Sequence, residues 1–92
     1  MQKEQAETVG IQALGWLAGQ DDLLEMFLGA SGANVNDLKL MAQNPEFLGS
    51  VLDFILMADE HVAGFCDATG LPYELPMKAR QFLPGGEAFN WT

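Results

Sequence analysis

Apolar residues recur every three or four positions along almost the whole chain, which is the period of an amphipathic α-helix. The first stripe stops at Gly19 and Gln20, and its members are Ala6, Val9, Ala13, Trp16 and Leu17, widened by Ile11, Leu14 and Ala18. Within it, Gly15 and Gly19 lie one turn apart and indicate a close approach of another helix. A second stripe follows Asp21 and Asp22, and it consists of Leu23, Leu24, Phe27 and Leu28. Since no stretch alternates cleanly with a period of two, the sequence predicts an all-α fold.

The strongest helix start lies at Asn44. Its side chain can cap free backbone N–H groups, Pro45 has the fixed φ of a first helical residue, and Glu46 complements the helix dipole. The residues that follow are apolar on almost every side, up to Met57. We therefore expect this helix at the centre of the fold.

The helical spacing continues from this start as far as Gly70. A single helix over Pro45–Thr69 would be roughly 37 Å long. A compact chain of this length has a radius of gyration of roughly 12 Å, so such a helix would exceed the diameter of the domain. We therefore predict a break near Ala58, with Asp59 capping a further helix and Gly70 ending it.

Shorter helices complete the predicted fold. Asn36 is a candidate cap for a third helix that carries Leu38, Met41 and Ala42, and a last apolar face consists of Leu75, Ala79, Phe82 and Leu83. Because the helices differ in length and their connections are irregular, orthogonal packing is favoured over a regular up-and-down arrangement. The prediction is a compact orthogonal bundle of five or six short helices, forming one domain over residues 1–92 with residues 1–5 and 87–92 as terminal tails.

Charge narrows the choice of partners. The chain has 4 basic and 13 acidic residues, with a formal net charge of −9, and no basic residue lies between Lys39 and Lys78. Such a surface repels phosphate, so nucleic acid and anionic membranes are not expected as partners. The single cysteine, Cys66, excludes an intramolecular disulfide, and we expect a cytoplasmic location.

Few residues are candidates for catalysis or for metal binding. His61 and Cys66 are five positions apart, about 140° around a helix, so they cannot form a local nucleophilic pair. No carboxylate or imidazole lies three or four residues from His61, which leaves it as a solvated first-turn histidine or a contributor to a pocket between helices. Asp53 interrupts the most apolar helix, either as a buried carboxylate with a raised pKa or on its one solvated strip. We find no catalytic constellation, cofactor-binding motif or metal site, and expect no cofactor.

The C-terminal tail carries the best candidates for partner contacts. Phe89 and Trp91 lower solubility if they stay exposed, so they either pack on the bundle or enter a groove of a partner. Lys78 and Arg80 form the only close pair of basic residues and lie just before this tail. They could contact an acidic partner or balance local charge.

Several short strings together resemble a family of short bacterial proteins, chiefly alphaproteobacterial, classed as a domain of unknown function. The strings are Leu14-Gly15-Trp16-Leu17-Ala18, Asn44-Pro45-Glu46-Phe47-Leu48, Val51-Leu52-Asp53-Phe54, Asp59-Glu60, Gly70-Leu71-Pro72, and Leu83-Pro84-Gly85-Gly86 with Trp91 close behind. The resemblance covers the chain from about Ala13 to Trp91. It implies a stand-alone cytoplasmic helical protein and brings no activity, cofactor or site residue.

Two functions remain open on the sequence. The first is a protein-interaction module without catalytic activity, which binds a partner protein, or a second copy of itself, through an apolar groove or the aromatic tail, rimmed by acidic residues. The alternative is a small-molecule-binding helical domain or weak enzyme with a pocket near Asp53 or His61.

Overall fold

The computed structural model describes residues 2–83, which form six α-helices and one short 3₁₀-helix, and contain no strand. The elements in chain order are α1 (Lys3–Ala18), α2 (Asp21–Ser31), a 3₁₀-helix (Val35–Asp37), α3 (Leu38–Met41), α4 (Pro45–Leu56), α5 (Asp59–Thr69) and α6 (Leu75–Gln81). The prediction of an all-α helical bundle is confirmed.

The start of α4 and the break that follows it lie where the sequence placed them. The Asn44 side chain accepts a hydrogen bond from the backbone N–H of Glu46 at 2.9 Å. After Leu56 the chain leaves the helix, and Ala58 is extended, with φ −142° and ψ 134°. Ala58 is therefore the N-cap of α5, and Asp59, the predicted cap, is its first helical residue.

One local prediction was wrong. The cap in the third helical region is Asn34, whose extended backbone lets its side chain accept the N–H of Asn36 at 2.9 Å, so Asn36 is the capped residue.

The first helix begins close to the N-terminus. Residues 3–5 are the first helical residues of α1, and the Gln5 side chain accepts the N–H of Gln2 at 2.9 Å and closes the first turn.

The core forms around α4, which packs against α1, α2, α5 and α6. Most of its side chains are buried, as expected for a central helix: Phe47, Leu48, Val51, Leu52, Phe54 and Ile55. The rings of Phe47 and Phe54 both meet Phe27 of α2 edge-on, with centroids 5.6 and 5.5 Å apart. The resulting radius of gyration, 12.2 Å, agrees with the expected value.

The buried face of α1 is narrower than the sequence predicted. Ile11 and Ala18 are exposed; Ile11 follows the buried Val9 by two positions, about 200° around the helix, which turns it away from the core. The close helix approach is also displaced from Gly15 and Gly19. It lies at Gly10, where an added Cβ would be 2.9 Å from Cβ of Leu48.

No helix among residues 2–83 is both long enough and apolar enough to cross a bilayer.

Candidate interaction groove

An open groove lies between the first turns of α5 and the start of α6. Its volume is about 450 Å³, and its lining residues are Leu56, Asp59, Val62, Ala63, Tyr73, Glu74 and Met77. We call it the α5–α6 groove. Its walls come from three consecutive segments: the end of α4, one face of α5, and the residues that lead into α6. Ala58, with its extended backbone, separates the α4 residue of the lining from the α5 residues.

The loop between α5 and α6 is held by backbone and thiol hydrogen bonds. Gly70 has a φ of +75°, a conformation that favours glycine, and its N–H reaches the carbonyl of Cys66 at 2.8 Å. The N–H of Leu71 reaches the same carbonyl at 3.1 Å. The buried Cys66 thiol donates to the carbonyl of Pro72 at 3.4 Å. These contacts fix where Tyr73 enters the groove.

Carboxylates surround the groove. Asp59 and Glu74 line it directly, and the Tyr73 hydroxyl donates to Oδ1 of Asp67 at 2.6 Å. This hydrogen bond, with the nearby carboxylate charge, raises the pKa of Tyr73 above its ordinary value. Burial raises the pKa of the Cys66 thiol, and the charges of Asp67 and Glu74 raise it further. The carboxylates beside the groove therefore act on both the Tyr73 hydroxyl and the Cys66 thiol.

Two of the largest apolar side chains in the groove stay open to solvent. Tyr73 is 55% exposed and Met77 is 58% exposed. Tyr73 lies in the turn just before α6 and Met77 in the first turn of α6, and the partly buried Leu56 and Val62 also line the groove. The groove thus presents an apolar strip with an acidic border.

Asp53 lies elsewhere, at the edge of a second, smaller space of about 260 Å³ that is also open to solvent. The Arg80 guanidinium holds its carboxylate by two bonds: Nε donates to Oδ1 at 2.6 Å and Nη2 donates to Oδ2 at 3.0 Å. The Asp53 side chain is 47% exposed and that of Arg80 is 12% exposed. This bidentate ion pair joins α4 to α6. The carboxylate that the sequence suggested for acid–base chemistry is therefore engaged by Arg80.

His61 differs from the solvated first-turn histidine that the sequence suggested. Its ring stacks on Phe54, with centroids 5.5 Å apart and an angle of 18° between the planes. Its Nδ1 is buried and has no hydrogen-bond partner in the described part of the chain. Phe54 also lines the space beside Asp53, so the His61 ring packs on a residue of that lining.

The candidate partner contacts divide into two groups. Lys78 is exposed on α6, directly after Met77, whereas Arg80 is largely buried in its pair with Asp53. Phe89 and Trp91 lie outside the described residues.

Among residues 2–83, no group of three or more His, Cys, Asp or Glu side chains could hold a metal ion.

Sequence reasoning did not find the groove. Asp59 was considered only as a helix cap, and Tyr73 and Met77 were not singled out. A signal existed in the predicted break at Ala58, because two short helices joined at an angle leave part of their apolar faces uncovered. Which side chains form the strip depends on how α6 packs against α1 and α4, and local periodicity does not specify that.

Comparison with protein families gave one match over most of the chain. A family model described as a protein of unknown function (DUF3572) matches residues 3–86. This confirms the resemblance to a domain of unknown function that the short strings indicated. Neither the curated proteins nor the solved structures gave a significant match.

Proposed function

This chain belongs to the DUF3572 family of proteins of unknown function, and we propose that it is a protein-interaction module whose binding surface is the α5–α6 groove. The proposal rests on the chain's own geometry. In it, a segment of a partner protein lies in the groove and covers the apolar strip of Tyr73 and Met77.

The observation that carries the proposal is the exposed strip itself. Folding has buried the apolar side chains of α4 almost completely, yet it leaves more than half of Tyr73 and Met77 in water. Single exposed apolar residues are normal, but a concave strip bordered by polar residues is typical of an interaction site. Methionine suits such a surface, because its flexible thioether adapts to different partners.

The form of the groove favours a protein segment over a small molecule. Small-molecule sites enclose about 70–90% of the ligand surface, whereas this groove is open along one side and exposes its two main contact residues. The Tyr73 hydroxyl beside it already donates a hydrogen bond to Asp67, and the carboxylates of Asp59 and Glu74 lie along its border. We therefore do not propose a ligand pocket or an active site there.

The test compares two methionines with equal exposure. Met77 in the groove and Met26 on α2 are both 58% exposed, so Met77→Gln and Met26→Gln remove the same apolar surface at two places without changing charge. A tagged full chain is used to isolate partners from source cells, and the dissociation constant of any stoichiometric partner is measured after purification. Covering the exposed half of a methionine contributes roughly 1.5 kcal/mol, about tenfold in Kd.

We expect Met77→Gln to weaken binding by about this factor and Met26→Gln to bind like the natural chain. Equal affinity of the two variants for the partner contradicts the groove as the binding surface. A third variant, Phe89→Ala with Trp91→Ala, tests the C-terminal tail, which is the other binding surface that the sequence suggested. If this variant loses the partner while Met77→Gln retains it, the anchor is the C-terminal tail.

A further inference from the structure

The walls of the α5–α6 groove restrict the backbone conformation of what can lie in it. They consist of side chains from helices, and residues 2–83 contain no strand whose edge could pair with an extended peptide. A segment that buries its backbone here must therefore satisfy its own N–H and C=O groups, since each unpaired buried group is costly. An α-helix does this internally, and helix-in-groove binding is a common mode of peptide recognition. A helix of about 14 residues spans roughly 21 Å, which fits one face of a molecule measuring 32 × 25 × 24 Å.

The border of the groove restricts the charge of that helix. Asp59 and Glu74 lie at helix starts, where acids also balance the helix dipole. The helix dipole does not explain the presence of Asp67, because Asp67 lies in the second half of α5, where the dipole disfavours a negative charge. The nearest base along the chain is Lys78, which does not line the groove. A helix with basic residues on either side of its apolar face matches this border.

The same charges disfavour two other occupants. A second copy of the chain would bring another acidic border and a second net charge of −9. The chain's own residues 84–92 contain Glu87 and no basic residue. Both would place like charges together, which costs free energy where solvent is excluded.

We propose that the α5–α6 groove binds a cationic amphipathic helix of a partner protein. The inference rests on the proposed function, and it adds the chemistry of the partner: apolar residues at helical spacing i, i+3 or i+4, and i+7 enter the strip of Tyr73 and Met77, while lysine or arginine residues beside them lie against Asp59 and Glu74.

The experiment uses the full chain and three synthetic 14-residue peptides. The first has leucines at helical spacing with lysines elsewhere, the second replaces every lysine with glutamate, and the third has the first composition in an order that destroys the apolar face. Binding is measured by calorimetry, and the site by the methyl NMR signals of the five methionines. We expect the lysine helix to bind and to shift the Met77 signal, with the other two peptides at least about tenfold weaker.

Paired variants test whether the border, and not the net charge, attracts the helix. Asp59→Asn with Glu74→Gln removes two carboxylates at the groove, and Asp22→Asn with Glu25→Gln removes two exposed carboxylates from α2. We expect the first variant to weaken binding of the lysine helix about fivefold, the effect of two exposed ion pairs. The second variant should leave Kd within about twofold, because neither Asp22 nor Glu25 lines the groove.

The outcomes separate this inference from the proposed function. If the lysine and glutamate helices both bind with equal affinity and shift Met77, the groove is a docking surface but its charge preference is refuted. If the disordered lysine peptide binds as well as the helix, or if both paired variants weaken binding equally, the attraction is a property of the whole acidic surface and the inference fails. If no peptide shifts Met77, the groove itself is refuted as a peptide site.

Discussion

Gly10 and Gly15 both lie in α1, but an added Cβ atom would have different surroundings at the two positions. At Gly15 nothing lies within 4 Å, whereas at Gly10 the new atom would be 2.9 Å from Cβ and 3.4 Å from Cγ of Leu48. The pair Gly10→Ala and Gly15→Ala therefore tests whether α1 and α4 approach as closely as the structure describes. The two changes are chemically identical and lie in the same helix.

The expected magnitudes follow from two opposing effects. Alanine in a helix interior is more favourable than glycine by about 0.5–1 kcal/mol, so Gly15→Ala should raise the free energy of unfolding by that amount. Gly10→Ala has the same gain, but carbon atoms prefer separations of about 3.5–4.0 Å, and neither Cβ can move by changing a rotamer. The helices must separate, and overpacking of this kind typically costs about 1–3 kcal/mol. Gly10→Ala should therefore be less stable than Gly15→Ala by about 1–3 kcal/mol.

Thermal unfolding followed by circular dichroism measures the difference directly. For a domain of about this size, 1 kcal/mol shifts Tm by roughly 4–8 °C, so the two variants should differ by at least about 4 °C, with Gly15→Ala the higher. Urea unfolding with an unchanged m-value would show that both variants keep the same fold. A Gly10→Ala variant as stable as Gly15→Ala would refute the close packing of α1 on α4 at Leu48.

Two further predictions concern the polar pairs. Asp53→Asn removes the carboxylate that accepts from Nε and Nη2 of Arg80. We expect a loss of about 2 kcal/mol in urea unfolding, between the values for exposed and buried ion pairs. A loss below about 0.5 kcal/mol, or an equal loss when Arg80 is already Gln, contradicts a stabilising pair. Asp67→Asn should lower the pKa of Tyr73, the single tyrosine, toward its ordinary value of 10.0, as measured by tyrosinate absorbance. The pKa of Tyr73 is higher in the folded chain than in the unfolded chain. The contribution of this hydrogen bond to stability is therefore complete below the unfolded pKa and is lost as the pH rises through the folded pKa. If Asp67→Asn leaves the titration midpoint of Tyr73 unchanged, the hydrogen bond to Asp67 is not the cause of the raised pKa.

Features set by neighbouring residues could be predicted from the sequence. The start of α4 depends on Asn44, Pro45 and Glu46 alone, and the structure contains the predicted capping hydrogen bond. The break near Ala58 was predicted from chain length and compactness, and it is also present. The third helix was misjudged by two residues, because Asn34 and Asn36 are equally good caps in composition and only the backbone conformation distinguishes them.

Features set by distant residues could not be predicted. Asp53 and Arg80 are 27 positions apart, and the sequence offered one as a pocket acid and the other as a partner contact without linking them. The glycine that permits close helix packing is Gly10, which nothing in the local pattern distinguishes from Gly15. The same holds for the α5–α6 groove, because the exposure of Met77 follows from the way α6 packs against α1 and α4.

The proposed interaction role draws on how polar and apolar groups are satisfied among residues 2–83. The Asp53 carboxylate is held by Arg80, and the Tyr73 hydroxyl is held by Asp67. Among residues 2–83, Nδ1 of His61 is buried and lacks a hydrogen-bond partner, with its ring stacked on Phe54. In the α5–α6 groove, by contrast, Tyr73 and Met77 stay more than half exposed. We therefore expect a partner that binds there to gain free energy mainly by burying apolar area, which a segment of another protein can supply.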